Sequence, residues 1–206
     1  SDDYGVIIEV NSETDFVARD DNFQGFVKDV LETAFNTQEA ELVALRANKR
    51  LEEKRNDLIQ KIGENILLRR CKSLKAPVVG SYLHSNRRIG VVVGLTGGSS
   101  ELARQVAMHV AAVNPAVVRS QDISESVLAA EKEIYLAQAR DSGKPEAIVQ
   151  KMVAGRVAKF LKESSLIDQP FVKDPDKTIG QLVAEANSDV TTFIRFEVGE
   201  GIIKEE

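Results

Sequence analysis

The glycine-rich stretch Thr96-Gly97-Gly98-Ser99-Ser100 has residue types that can bind a phosphate group. It lies between a predicted strand and a predicted helix, where backbone N–H groups and the helix dipole favour anions. It lacks the lysine of a Walker loop and the glycine spacing of a dinucleotide fingerprint. A tight turn followed by a serine helix cap explains the same residues. The sequence therefore leaves two interpretations of this stretch, a phosphate loop and a structural turn.

Cys71 and two histidines are the other candidates for nucleophilic or acid–base chemistry. Basic neighbours of Cys71 can lower its pKa, but no histidine adjoins it in sequence to act as a base. We interpret it as a structural cysteine at a helix terminus. His84 ends a predicted strand and His109 lies off the apolar stripe of its own helix. Both are interpreted as ordinary polar side chains, exposed or hydrogen-bonded, because neither position requires catalysis.

The segment Thr14-Asp15-Phe16-Val17 places an acid beside an aromatic ring in the loop after the first predicted strand. An aromatic side chain in such a loop can anchor a partner protein, since interfaces favour a buried aromatic residue ringed by polar groups. The alternative is local: Phe16 packs against the start of the next helix and Asp15 caps that helix.

The composition indicates a globular chain. Its 206 residues are 43% hydrophobic and 29% charged, unlike a disordered or fibrous protein. No apolar run approaches the roughly 20 residues that cross a bilayer, so we expect no membrane insertion. The net charge of -5 argues against the basic surface that drives most nucleic-acid binding. One cysteine excludes an internal disulfide, and with two histidines it provides no recognisable zinc spacing.

The first half is predicted to form a strand, two helical stretches and a β-hairpin. Gly5 to Val10 is a short β-branched run typical of a buried strand. Residues 36 to 70 are predicted to be mostly helical, and Pro77 ends that pattern. Val78 to His84 and Ile89 to Leu95 then flank a polar loop and are expected to pair as a hairpin. The first helix has apolar residues at three-and-four spacing, namely Phe23, Phe26, Val27, Val30, Leu31 and Ala34.

The second half repeats the strand, loop and helix plan. Ile89 to Val93 is similar to Tyr4 to Ile8, and a helix is predicted from Glu101 to Val113. A helical hairpin follows, with helices from Ser124 to Arg140 and from Glu146 to Phe160. Its predicted seam has Val127, Ala130, Ile134 and Ala137 facing Ile148, Met152 and Val153. A capping box at Thr178 to Gln181 opens a further helix, and Thr191 to Val198 is a further strand.

Together these patterns predict an α+β fold of two related subdomains, each with a small antiparallel sheet packed by helices. The N-terminal core subdomain is expected to span residues 1–95 and the C-terminal core subdomain residues 96–206. A coiled-coil-like helical hairpin is expected as an insertion at about residues 124–160.

Five blocks of the sequence, in this order, resemble the translation elongation factor Ts family. They are Glu9 to Ala18, which contains Thr14-Asp15-Phe16-Val17, then Lys61 to Asn65, Ala107 to Ala112, Ser165 to Val172, and Arg195 to Gly201. The similarity covers essentially the whole chain, and an ordered set of blocks is more specific than any one motif.

The resemblance implies a guanine-nucleotide exchange factor that binds elongation factor Tu and promotes GDP release. It implies no covalent chemistry, no metal, no cofactor and no direct binding of nucleotide, nucleic acid or membrane. The segment Thr14 to Val17 inherits the partner-binding role, with Asp15 and Phe16 disturbing the Mg²⁺ site of the GTPase. Ile62 and His84 are further partner-contact candidates by the same resemblance. For Ile62 a core role remains open, because it also completes the apolar stripe of its helix.

The resemblance also implies a cytoplasmic bacterial protein, or alternatively an organellar one. It suggests that the small N-terminal helical domain and most of the C-terminal extension of the family are missing, so we expect the chain to fold but to bind its partner more weakly. Two rival functions stay open: an enzyme that binds a small phosphorylated ligand at Thr96 to Ser100, and a scaffold that holds another protein through the helical hairpin.

Overall fold

The computed structural model describes residues 3–202 of the chain. The outermost residues of the two predicted subdomains, 1–2 and 203–206, lie outside the described residues. The strands are β1 (Tyr4–Asn11), β2 (Leu67–Lys75), β3 (Val78–Leu83), β4 (Ile89–Leu95), β5 (Pro170–Phe171), β6 (Asp174–Thr178) and β7 (Val190–Glu197). The α-helices are α1 (Asp15–Ala18), α2 (Asp21–Thr37), α3 (Leu42–Arg46), α4 (Lys49–Ile62), α5 (Ser100–Val113), α6 (Glu125–Arg140), α7 (Glu146–Ser164) and α8 (Ile179–Ala184).

The predicted α+β class is confirmed, since helices pack on small antiparallel sheets. β1 pairs with β2, the order β3-β4-β7 forms a second sheet, and β5 pairs with β6. Helix α2 buries Phe23, Phe26, Val30 and Ala34 of its predicted stripe in a first hydrophobic core. The apolar face of this helix therefore positions the preceding loop against the first sheet.

The helical prediction for residues 36 to 70 is wrong at its C-terminal end. Helix α4 ends at Ile62, and Gly63 follows in the left-handed region at φ 81°, which favours glycine. The chain then enters β2, which runs antiparallel to β1 from the Asn11–Leu67 pair to the Tyr4–Lys75 pair. The apolar spacing through Ile66 suggested a continuing helix, but pairing with β1 satisfies the backbone of this segment instead.

The predicted hairpin of β3 and β4 is confirmed, and β7 pairs with β4 on its other edge. Helix α5 covers this sheet at close range. A Cβ atom at Gly80 would lie 2.5 Å from the backbone of Ala103, so glycine is required where the helix crosses β3. This sheet takes strands from both sides of the predicted boundary at residue 95, and the boundary itself stays a prediction.

Helices α6 and α7 are joined by residues 141–145, where the sequence predicts a break, and Ser124 caps α6 as expected. The predicted seam on α6 is wrong, because its four residues Val127, Ala130, Ile134 and Ala137 are exposed. The stripe of Leu128, Tyr135, Leu136 and Ala139 is half-buried or buried instead, as is Val149 on α7. Those larger side chains remove more apolar area from water than a seam rich in alanine.

The capping box before α8 is confirmed: Thr178 accepts a hydrogen bond from the Gln181 backbone N–H, and the Gln181 side chain accepts one from Thr178 N–H. Within residues 3–202, the helices are too short or too polar to cross a membrane.

Candidate functional site

Phe16 is the most exposed large apolar side chain among the described residues, with 88% of its surface accessible. It lies on the short helix α1, whose next residue, Val17, is buried in the first core. The predicted local alternative is wrong in both parts. Phe16 does not pack against a helix start, and Asp15 caps neither helix. Asp20 caps α2 by accepting the Asn22 and Phe23 N–H groups, and Thr14 caps α1, its hydroxyl accepting a hydrogen bond from Val17 N–H at 3.4 Å. An aromatic ring is thus presented to solvent by a helix that Val17 anchors.

Asp15 forms an exposed ion pair with Arg88 of the β3–β4 turn, at 2.9 Å between Oδ1 and Nη1. The two side chains are 76% and 50% accessible, so water screens the pair strongly. Such surface pairs contribute roughly 0.2–1 kcal/mol. Asp15 is therefore held beside the turn but stays available to a partner, and the sequence offered no signal for the Arg88 contact.

The loop before α1 is also bonded to Glu64, which follows α4. The Glu64 carboxylate accepts hydrogen bonds from the backbone N–H groups of Glu13 and Thr14, at 3.1 and 2.9 Å. It also accepts one from the Thr14 hydroxyl at 2.6 Å. Glu64 lies in the block Lys61 to Asn65, and no local pattern in the sequence marks it as a contact of this loop.

Ile62 and His84 lie close in sequence to the two residues that contact this segment, Glu64 and Arg88. Ile62 is the last residue of α4 and packs, half-buried, against the first core, two residues before Glu64. His84 follows β3, four residues before Arg88, and is half-buried, with its backbone N–H bonded to Ile89 O at 2.9 Å. The contact from Ile62 to the core is observed, whereas partner contacts of either residue stay predictions.

Glu9 is a buried acid near the end of β1, the strand that leads into this loop. Its carboxylate pairs with Arg69 at 2.9 Å and with Arg70, and it accepts the Gly199 backbone N–H at 2.9 Å. Burial alone raises the pKa of Glu9, but the bonds from Gly199, Arg69 and Arg70 outweigh it and hold the pKa below its usual 4.5. The acid is therefore ionised and ties β1, β2 and the segment after β7 together.

Cys71 lies on β2, so its predicted place at a helix terminus is wrong. The suggested lowering of its pKa is also wrong. Burial, assisted by the charges of Glu39 and Glu41, raises the pKa of the thiol to about 11. The thiol stays protonated at neutral pH and is a poor nucleophile.

His109 is fully buried, and of its two interpretations, an exposed or a hydrogen-bonded polar side chain, the second is confirmed. Its Nε2 lies 2.9 Å from Gln169 Oε1, and its Nδ1 accepts the Val172 N–H at 3.3 Å. Burial lowers the pKa of His109, and the Gln169 bond opposes this only in part. The ring joins α5 to the segment before β5 as a satisfied hydrogen-bonded group. Within the described residues, no cluster of three or more His, Cys, Asp or Glu side chains is placed to hold a metal ion.

The glycine-rich stretch at residues 96–100 joins β4 to α5 and bonds to the segment before β7. Thr96 N–H donates to Asp189 O at 2.9 Å, and Gly97 N–H to the Ser188 hydroxyl at 3.2 Å. Ser99 caps α5 by accepting the Leu102 N–H at 3.1 Å. Two of the loop amides that a phosphate would need are therefore already bonded within the fold, which favours the structural turn.

Comparison with known proteins identifies the family to which the chain is similar. The sequence model described as "Elongation factor TS" matches residues 13–200. A protein of Hahella chejuensis named Elongation factor Ts is 58% identical, over 100% of this chain and 72% of its own length. The protein named Elongation factor Ts in Marinobacter nauticus is 56% identical, over 100% of this chain and 72% of its own length. The protein of that name in Pseudomonas aeruginosa is 52% identical, over 98% and 69%.

Proposed function

The chain belongs to the elongation factor Ts family of translation elongation factors, and from that premise we propose that it is a guanine-nucleotide exchange factor for elongation factor Tu. In this proposal it binds the GDP-bound GTPase, disturbs its Mg²⁺ and phosphate site, and promotes GDP release during protein synthesis in the bacterial cytoplasm. It carries out no covalent chemistry. The single observation that supports this most strongly is the exposure of Phe16 on a short helix that Val17 anchors in the core.

The physical basis is the way a GTPase holds its nucleotide. GDP is bound largely through phosphate contacts and a Mg²⁺ ion that protein ligands position. A side chain that displaces those ligands weakens GDP binding without touching the nucleotide. A buried aromatic anchor at an interface is worth about 2 kcal/mol or more, which is enough to support such a displacement. In the proposal Phe16 is that wedge, and Asp15 acts on the polar groups near the metal.

Thermodynamic linkage couples binding of the nucleotide to binding of the chain. Whatever factor the chain removes from the affinity for GDP, GDP removes from the affinity for the chain. The same reasoning applies to GTP, so nucleotide entry releases the exchange factor. No titrating base or bound cofactor of the chain enters this cycle, and neither Cys71 nor His109 is placed to serve as one.

The test is stopped-flow release of fluorescently labelled GDP from elongation factor Tu, with and without this chain. The proposal expects the release rate to rise with chain concentration and to reach a plateau. A chain that binds the GTPase but leaves the release rate unchanged would overturn the proposal and favour the scaffold role of α6 and α7. Calorimetric titration of the isolated chain with GDP is expected to show no heat of binding, and saturable binding would favour the phosphate-ligand enzyme.

A further inference from the structure

Apart from the buried Val17, the segment that presents Phe16 makes little contact with the core. Helix α1 spans only the four residues Asp15–Ala18, which is far too short to be stable in isolation. Its phenyl ring contributes almost nothing to packing, because 88% of its surface is exposed. Something other than the ring must therefore hold the loop in the conformation that presents it.

The Glu64 side chain is the group with the most bonds to this loop. One of its oxygens, Oε2, accepts the N–H groups of Glu13 and Thr14, and the other, Oε1, accepts the Thr14 hydroxyl hydrogen. Bonds to an ionised acceptor are stronger than neutral ones. By donating its hydrogen to Glu64, the Thr14 hydroxyl keeps its lone pairs for Val17 N–H, which is the cap of α1.

The position of Glu64 follows from the end of α4. Gly63 takes φ 81° and turns the chain sharply, and nothing lies within 4 Å of where its side chain would be. The next two residues then face the loop, and the contact is reciprocal, since Asn65 N–H donates to Glu13 Oε1 at 3.1 Å. We call these bonds of Glu64 and Asn65 to Glu13 and Thr14 the clamp. The clamp joins segments that are about 50 residues apart in sequence.

We propose that Glu64 is a positioning residue that holds the Phe16 loop in its presenting conformation before the partner arrives. This inference rests on the proposed exchange function and identifies a residue that acts through Thr14 without touching the GTPase. A protein whose binding-competent conformation is only partly populated binds with an affinity reduced by that fraction. Loss of the clamp therefore raises the concentration of chain needed for half-maximal GDP release, while the plateau rate stays the same.

The test compares Glu64→Ala with Glu53→Ala, which removes an equally charged side chain from an exposed site on α4. The first measurement is amide hydrogen exchange of the isolated chains. In Glu64→Ala we expect exchange at Glu13, Thr14 and Val17 to accelerate about tenfold, with α5 and β4 unchanged. Glu64→Gln is expected to restore part of the protection, because its amide oxygen still accepts the backbone N–H bonds.

The second measurement is the concentration dependence of GDP release from elongation factor Tu. For Glu64→Ala we expect the half-saturating concentration to rise about three- to tenfold at an unchanged plateau. Loop protection and half-saturation equal to those of Glu53→Ala would overturn the inference. A lower plateau at unchanged half-saturation would also overturn it, because Glu64 would then act on the partner directly.

Failure of the proposed function is recognised separately. If the unsubstituted chain does not accelerate GDP release, that function fails, and amide exchange alone decides whether Glu64 orders the loop. If Glu64→Ala does not fold, Thr14→Val and Thr14→Ser replace it, since valine removes the clamped hydroxyl and serine keeps it. Faster exchange at Glu13, whose N–H donates to Glu64 and not to Thr14, in Thr14→Val but not in Thr14→Ser supports the clamp, and equal Glu13 exchange in both contradicts it.

Discussion

Two regions of the molecule share one plan and differ in what the loop does. After β1, the loop at residues 12–14 leads into α1, which exposes Phe16. After β4, the loop at residues 96–99 leads into α5 and exposes no large apolar side chain. The first loop is bonded by side chains of distant segments, Glu64 and Arg88, whereas the second is bonded to the segment that enters β7.

The difference shows that the same order of strand, loop and helix can expose a side chain to a partner in one place and stabilise the fold in another. Bonds from Thr96 and Gly97 to Asp189 and Ser188 close the second loop onto its own sheet. The first loop leads to an exposed phenyl ring, whose hydration is unfavourable for the free protein and is not offset by packing. A feature that costs free energy in isolation is typical of a binding surface.

The largest expected effect comes from Phe16→Ala. We expect the plateau rate of GDP release from elongation factor Tu to fall about 30-fold, which corresponds to about 2 kcal/mol for a lost aromatic anchor. The midpoint of thermal unfolding stays the same, because the ring is 88% exposed in the free chain.

The matched control is the neighbouring residue on the same helix. Val17→Ala removes buried methyl groups and is expected to lower the free energy of unfolding by about 1–3 kcal/mol. A large loss of stability in Phe16→Ala would contradict the division of roles between the two residues.

Gly98→Ala tests whether the second loop is purely structural. Gly98 has φ 83°, and a Cβ there would lie 3.1 Å from Leu102 Cδ2. The left-handed backbone and this contact together are expected to lower the free energy of unfolding by about 1–2 kcal/mol, as measured by urea denaturation. The plateau rate of GDP release is expected to stay unchanged, and its loss would return the loop to the functional candidates.

Ser188→Ala also tests the structural role of the second loop, and its expected effect on stability is smaller. The Ser188 hydroxyl accepts from Gly97 N–H and donates to Gly97 O at 2.8 Å, so its loss removes two of the bonds between the loop and the β7 entry and leaves those between Thr96 and Asp189. We expect the free energy of unfolding to fall by about 1 kcal/mol in urea denaturation. Ser85→Ala, in the exposed β3–β4 turn, is the matched control and is expected to change little.

Arg88→Gln is expected to give the smallest effect. The Asp15–Arg88 pair is exposed and screened, so the free energy of unfolding should change by less than about 0.5 kcal/mol at low salt. At about 1 M salt the difference should disappear, because the Debye length is then only about 3 Å. A difference that persists at high salt would mean that Arg88 packs as well as pairs.

Local patterns in the sequence were sufficient for much of the fold. The stripe on α2 apart from the exposed Leu31, the β3–β4 hairpin and the capping box at Thr178 were predicted correctly, because each depends on residues within a few positions of one another. The seam of α6 was misplaced because two apolar stripes run along that helix, and only packing against α7 selects between them.

The sequence by itself determined the α+β class, the family and the segment Thr14 to Val17 as the one to examine. The tertiary structure alone decided that residues 67–75 form a strand, that His109 is buried, and that Glu64 and Arg88 hold the loop of Phe16. The physical reason is distance along the chain. The clamp and the ion pair join residues about 50 and 73 positions apart, and no local spacing encodes which carboxylate or guanidinium arrives there.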